Sequence, residues 1–229
     1  RVELPGHQGP ASQGPAPGLP GLTLNAPTFS GISNNHRISP DGRLLWTSYL
    51  SGPGVTTFVN DSALFGGYPG SQNVIARSGD PAPGTAGAMF NYGFTGVSSA
   101  VVQVNRAGQV FFRQGVNGGD TTTSNDEGLF TGTPGSLSMV LREGDSLGGG
   151  LTAAAFTQSG IQMDNSGHAL FEVVLGGAVT AASDRSLWLY TPGSGNTPVI
   201  REGDPAPGTI GATFNNPLDN WSPTLYPTS

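Results

Sequence analysis

Arg201-Glu-Gly-Asp-Pro-Ala-Pro-Gly-Thr209 is the third appearance of a phrase that also reads Arg77-Ser-Gly-Asp-Pro-Ala-Pro-Gly-Thr85 and, in shorter form, Arg142-Glu-Gly-Asp145. The aspartates Asp80, Asp145 and Asp204 fall 65 and then 59 residues apart, and each phrase follows an apolar pair (Val74-Ile75, Val140-Leu141, Val199-Ile200). Self-similarity at a long period means one supersecondary unit copied in tandem. A motif inside such a phrase is therefore first of all architecture.

Other landmarks recur in phase. A phenylalanine opens each unit (Phe29, Phe90, Phe156, Phe214), followed by an apolar strand and a tight turn at Ser39-Pro-Asp-Gly42, Asn105-Arg-Ala-Gly108 or Asp164-Asn-Ser-Gly167. Asn and Asp cap such turns themselves, and Gly tolerates the positive φ they need. Aromatic and β-branched residues come next (Leu44-Leu-Trp46, Val110-Phe-Phe112, Ala169-Leu-Phe171). A polar loop then leads to a third strand, a Pro-Gly turn (Pro69-Gly70, Pro134-Gly135, Pro192-Gly193) and a fourth strand running into the phrase. Four short strands joined by tight turns predict an all-β chain of four-stranded antiparallel meanders, the form of a propeller blade. The predicted units span about 27–80, 90–145 and 156–204, with residues 205–229 starting a fourth that includes one unpaired strand near 220–226. Three units and a fraction do not close a propeller comfortably. An orphan strand must pair somewhere, within the ring or in a neighbouring subunit.

Residues 1–26 read as an extended Gly/Pro-rich arm without a core of its own, docked on its domain or on a neighbour. The first unit reads as lacking the Pro-Ala-Pro-Gly-Thr opening, and the third substitutes Ser146-Leu-Gly-Gly-Gly150. Over residues 27–214, and most specifically at Arg201–Thr209, the chain resembles the bacterial choice-of-anchor tandem-repeat proteins. Those carry R-E-G-D-x-A-P-G-T phrases alternating with N-x-x-G turns and a following Phe. The resemblance implies an exported, surface-associated all-β repeat protein and brings no catalytic residues with it.

Composition limits the role. Of the charged residues, which make only 10% of the chain, nine are basic, all arginine and scattered, and the net charge is −6. Nothing here would neutralise a phosphate backbone, so nucleic acid is not an expected partner. No apolar stretch is long enough to span a membrane as a helix, and the absence of cysteine removes disulfides and thiolate metal sites. Few charges on a Ser-, Thr- and Asn-rich surface suit an extracellular or cell-surface setting and weaken the repulsion that keeps proteins apart.

Candidate chemistry is weighed against architecture. Gly144-Asp-Ser146-Leu-Gly148 has the form of a nucleophile elbow, which needs a strand-to-helix turn and a partner histidine. The residues that follow carry strand signals, His168 sits in a repeat turn, and Asp145 is the repeat aspartate. His7, His36 and His168 share no context, so no metal, cofactor or catalytic residue is assigned. Arg77, Asp80, Arg142, Asp145, Arg201 and Asp204 are expected to cap turns and pair locally, the alternative being a ring of ligand-binding groups. Asn60 and Asn220 stand in glycosylation sequons. The expected function is a non-enzymatic, extracellular structural protein that self-assembles into a filament or surface layer by exchanging its arm or strand. The alternative is a propeller-like module that binds a glycan or a protein.

Overall fold

The computed structural model describes residues 14–25, 36–94, 102–157 and 160–214. The sequence expectations for Phe29, for the strand near 220–226 and for Asn220 lie outside these residues. Within them the protein is all-β, a series of three antiparallel sheets. The first comprises β1 (Thr23–Asn25), β2 (Arg37–Ile38), β3 (Leu44–Ser51), β4 (Ser62–Gly67) and β5 (Asn73–Arg77). Strands β3, β4 and β5 form a meander, while β1 and β2 pair with opposite ends of β3 on its free side, like one outer strand broken in the middle. The second sheet repeats this with β6 (Met89–Phe90), β7 (Val102–Val104), β8 (Val110–Asn117), β9 (Glu127–Thr133) and β10 (Ser136–Arg142). The third has β12 (Leu151–Phe156), β13 (Gln162–Met163), β14 (Ala169–Gly177), β15 (Arg185–Thr191) and β16 (Gly195–Arg201), with an added hairpin strand β11 (Ser146–Gly148) on β12.

The sheets pack face to face, and side-chain alternation along each strand assigns every residue to one interface. On β8, Val110, Phe112 and Val116 turn toward the first sheet, where with Phe90 and Phe130 they meet Leu45, Leu64 and Ile75. Phe111 points the other way and joins Leu129 and Leu141 against Phe171, Val173 and Trp188 of the third sheet. The unbroken apolar run Val110-Phe-Phe112 follows from this burial on both faces, and all three residues are 0% exposed. Rings interlock in the first interface, with Phe112 stacked on Phe130 at 5.5 Å and Phe90 edge-on to Phe130 at 4.9 Å. Each buried phenylalanine adds roughly 1.5–3 kcal/mol from apolar burial alone.

One end of the stack is laced by its turns. Arg43 Nε donates to the Arg106 carbonyl at 2.9 Å, the Arg106 N–H donates to Asn165 Oδ1 at 3.2 Å, and Asn105 Nδ2 donates to the Asp164 carbonyl at 3.3 Å. The turns at 39–42, 105–108 and 164–167 thus touch one another from unit to unit.

The expected arm boundary needs correction. Residues 14–25 belong to the first unit: Pro15 bridges Thr23 as Pro81 bridges Met89 and Pro205 bridges Thr213. The Ala16 N–H donates to the Leu22 carbonyl at 2.9 Å, matching Ala82 to Ala88 and Ala206 to Ala212. Pro15-Ala-Pro-Gly18 is therefore the missing opening of unit one, and its Ala16 and Leu22 cover Leu50, Ala63 and Phe65 on the outer face of the first sheet. The sequence reading overlooked it because no Arg-x-Gly-Asp precedes it and Leu19 stands where Thr85 and Thr209 do.

Phe130→Ala is expected to cost about 3–5 kcal/mol, read as a lower urea midpoint. Ile210→Ala, at a fully exposed side chain, should leave that midpoint unchanged.

Candidate functional site

The Arg-x-Gly-Asp phrase folds as a β-turn, the aspartate N–H donating to the arginine carbonyl at 3.1 Å in all three copies. Its glycine takes a left-handed φ of 81°, 84° and 87° at Gly79, Gly144 and Gly203, a conformation that costs glycine nothing. That twist aims the glycine N–H at the next unit, where it donates to the carbonyls of Phe90, Ala153 and Phe214 at 2.9, 2.7 and 2.8 Å. The same three residues donate back to Asp80, Asp145 and Asp204. Each phrase thus ends one sheet and pairs with the strand that opens the next.

The carboxylates of Asp145 and Asp204 each accept the N–H of their own arginine at 2.8 Å. The guanidinium groups do not converge on a common channel; they reach back into their own units. Arg77, Arg142 and Arg201 donate from Nε to the carbonyls of Asn60, Asn125 and Ser183 at 2.9, 2.7 and 2.8 Å. Those carbonyls end the polar loop before β4, β9 and β15. Arg142 is the strongest latch: buried, it also holds Asp120 at 2.8 Å and Thr121 Oγ1 at 3.2 Å. Its guanidinium in turn keeps the Asp120 carboxyl below its ordinary range. The spacing of the phrase puts the arginine at a turn but does not give its target, a carbonyl of its own unit. The signal was there, since Asn60-Asp61, Asn125-Asp126 and Ser183-Asp184 precede the third strand of each unit.

These loops are themselves self-capped. The Thr56 N–H donates to Asn60 Oδ1 at 2.7 Å, Thr122 to Asn125 Oδ1 at 2.5 Å, and Thr180 to Ser183 Oγ at 3.1 Å. Asn60 also donates from Nδ2 to the Gly54 carbonyl at 3.0 Å, so the amide of this sequon is engaged in closing its own loop.

The residue after the arginine is Ser78 in the first copy and glutamate in the other two, Glu143 and Glu202, and all three are buried. Asp126, Glu127 and Arg113 all act on Glu143, and Arg113 Nε lies 3.1 Å from Glu127 Oε1. Burial first, then hydrogen bonding to Asp126 and repulsion from Glu127 and Asp126, push the Glu143 carboxyl up to about 7 against the pull of Arg113. Three carboxyl groups around one guanidinium hold a proton well above the usual carboxylate range. In the third sheet the pair is reversed, with Glu172 and Arg185 (3.4 Å) at the positions of Arg113 and Glu127.

Other sequence candidates stay apart. Ser146 lies on β11, whose hairpin partner is β12, so the segment is strand-turn-strand rather than strand-turn-helix. His168 Nδ1 contacts Asp164 Oδ2 at 2.7 Å within its own turn. Among the described residues no three His, Cys, Asp or Glu side chains gather to hold a metal ion, and no helix is long and apolar enough to cross a membrane.

A family model described as a family of unknown function (DUF7453) matches residues 19–222. No curated protein and no solved structure matches the chain.

Arg142→Ala removes charged hydrogen bonds worth about 1.5–3 kcal/mol, and the 118–126 loop should become the first site of limited proteolysis. Glu143 gives a pH dependence with a definite sign. Between its ordinary value of 4.5 and about 7 the folded chain holds a proton that the unfolded chain releases, so stability falls as pH rises through that window and levels off above it. Chemical denaturation from pH 5 to pH 8 should show this decline, and Glu143→Gln should flatten it.

Proposed function

The chain belongs to this family of unknown function, so its role is read from its own surfaces, and we propose that it is a non-enzymatic, extracellular structural protein that self-associates head to tail. The observation that carries this reading is the inequality of sheet faces. Both faces of the second sheet are buried. The third sheet's outward face presents Leu170, Val174, Leu187, Leu189 and Ile200, all part-exposed; the counterparts of Leu170, Leu187 and Ile200 in the first two sheets pack on the next unit. At the opposite end, Leu24, Trp46 and Val74 are only partly buried, and an apolar groove of about 420 Å³ runs past Ile38, Leu44 and Trp46.

The two end faces are of opposite kind, each resembling one side of the internal interfaces. A contact between them is heterologous and builds an open filament unless its rotation closes a ring. Low charge favours such contacts. Arm exchange recedes as the route, since residues 14–25 are used within the first unit. The extracellular setting rests on composition and on the resemblance to exported repeat proteins.

Sedimentation velocity and electron microscopy test the reading. The wild-type chain should form open oligomers that grow with concentration. The double variant Leu187→Glu/Leu189→Glu should sediment as a monomer with unchanged β-sheet circular dichroism. A wild-type chain that stays monomeric, or a variant that assembles normally, overturns it.

A further inference from the structure

The first unit departs from the other two at the loop between β3 and β4. The capped segment of that loop is a residue longer: it runs from Thr56 to Asn60, where the others run from Thr122 to Asn125 and from Thr180 to Ser183. The extra length is absorbed at Phe58, the one described non-glycine residue with positive φ, at 61°. A bulky side chain is strained in that conformation. Phe58 is nevertheless 66% exposed, edge-on to Tyr92 of the second unit at 5.5 Å. Strain and an exposed aromatic ring coincide where the other loops carry Thr123-Ser124 and Ala181-Ala182.

Beneath this loop a surface cavity of about 370 Å³ is lined by Asn25, Tyr49, Val55, Thr57, Phe58 and Asp61 among others. Asp61 is only 6% exposed, and its Oδ1 is buried without a hydrogen-bond partner. Its counterparts, which accept the equivalent backbone bonds from Val116 and Leu175, are both engaged. Asp126 is hydrogen-bonded with Glu143, and Asp184 lies 3.9 Å from Arg185. In the first unit those partner positions are Ser78 and Ser62, which bond each other at 3.2 Å. The substitutions that remove the charged partners thus leave one carboxylate oxygen unsatisfied in the wall of a cavity. A buried acceptor without a donor costs free energy that a ligand's donor recovers.

We propose that the cavity at Asp61 and Phe58 is a binding site for a neutral saccharide, a role separate from the end-face association proposed above. The carboxylate accepts sugar hydroxyls, Asn25, Tyr49 and Thr57 supply neutral donors and acceptors around it, and the exposed Phe58 ring offers an apolar plane to the C–H face of a pyranose. No basic side chain is among the described lining residues, and the net charge is −6, which disfavours acidic sugars.

Isothermal titration with glucose, galactose, mannose and N-acetylglucosamine, and with short oligomers of each, tests this, with arginine and a simple alkylammonium ion as cationic controls. One neutral sugar series should bind at one site per chain. Phe58→Ala, at an exposed side chain, and Asp61→Asn should each weaken binding by about tenfold or more, while Asp126→Asn should leave it unchanged. Thermal melts check that the variants fold, and Thr57→Ala provides a second cavity variant if Asp61→Asn does not. Failure of every neutral sugar to bind, binding insensitive to these cavity variants, or binding of the cationic controls alone overturns the proposal. Because Leu187→Glu/Leu189→Glu lies on a different sheet, loss of assembly and loss of sugar binding are separately readable.

Discussion

A four-stranded meander with apolar residues on both faces cannot be stable alone, and everything else in this protein answers that constraint. The second sheet satisfies it fully, with Phe112 and Phe130 turned one way and Phe111 and Leu129 the other. Such a sheet must have a neighbour on each side. The connecting segments accordingly serve to hold sheets at stacking distance: the glycine of each phrase ties to the next strand, and the turns at 39–42, 105–108 and 164–167 touch in series.

Most of this order was readable from residue types. Asp-Gly, Asn-x-x-Gly and Pro-Gly mark turns by local backbone chemistry, and Val110-Phe-Phe112 marks a strand buried on both sides. Local rules failed where meaning is set by a distant partner. Pro15-Ala-Pro-Gly18 is identical to residues 81–84, yet the missing phrase before it and the proline-rich run around it disguised it as an arm. Arg142 was legible as a turn residue. Its reach to Asn125 and Asp120 depends on how β10 lies beside the 118–126 loop, which spacing alone does not give. Asp61 was not legible at all, because its isolation comes from Ser62 and Ser78 standing where other units carry charge.

The units are thus copies in backbone and individuals in polar detail. Arg113 and Glu127 exchange signs with Glu172 and Arg185, which keeps an ion pair across the same two strands. The first unit carries Thr47 and Ser62 at the positions of this pair, and its loop gains a residue. Repetition secures the stack, so variation can gather at polar positions and loop tips without threatening it.

The bond from each phrase's glycine to the following unit also orders events in time. Gly79 finds its acceptor at Phe90 and Gly203 at Phe214, so the closing turn of a sheet is satisfied only after the chain beyond it exists. On a ribosome, each sheet would remain open at its last corner until about a dozen further residues had emerged, and would then lock as its successor began. Synthesis from the N-terminus would in this way set the sequence of folding, with every new unit acting as the clasp of the one before.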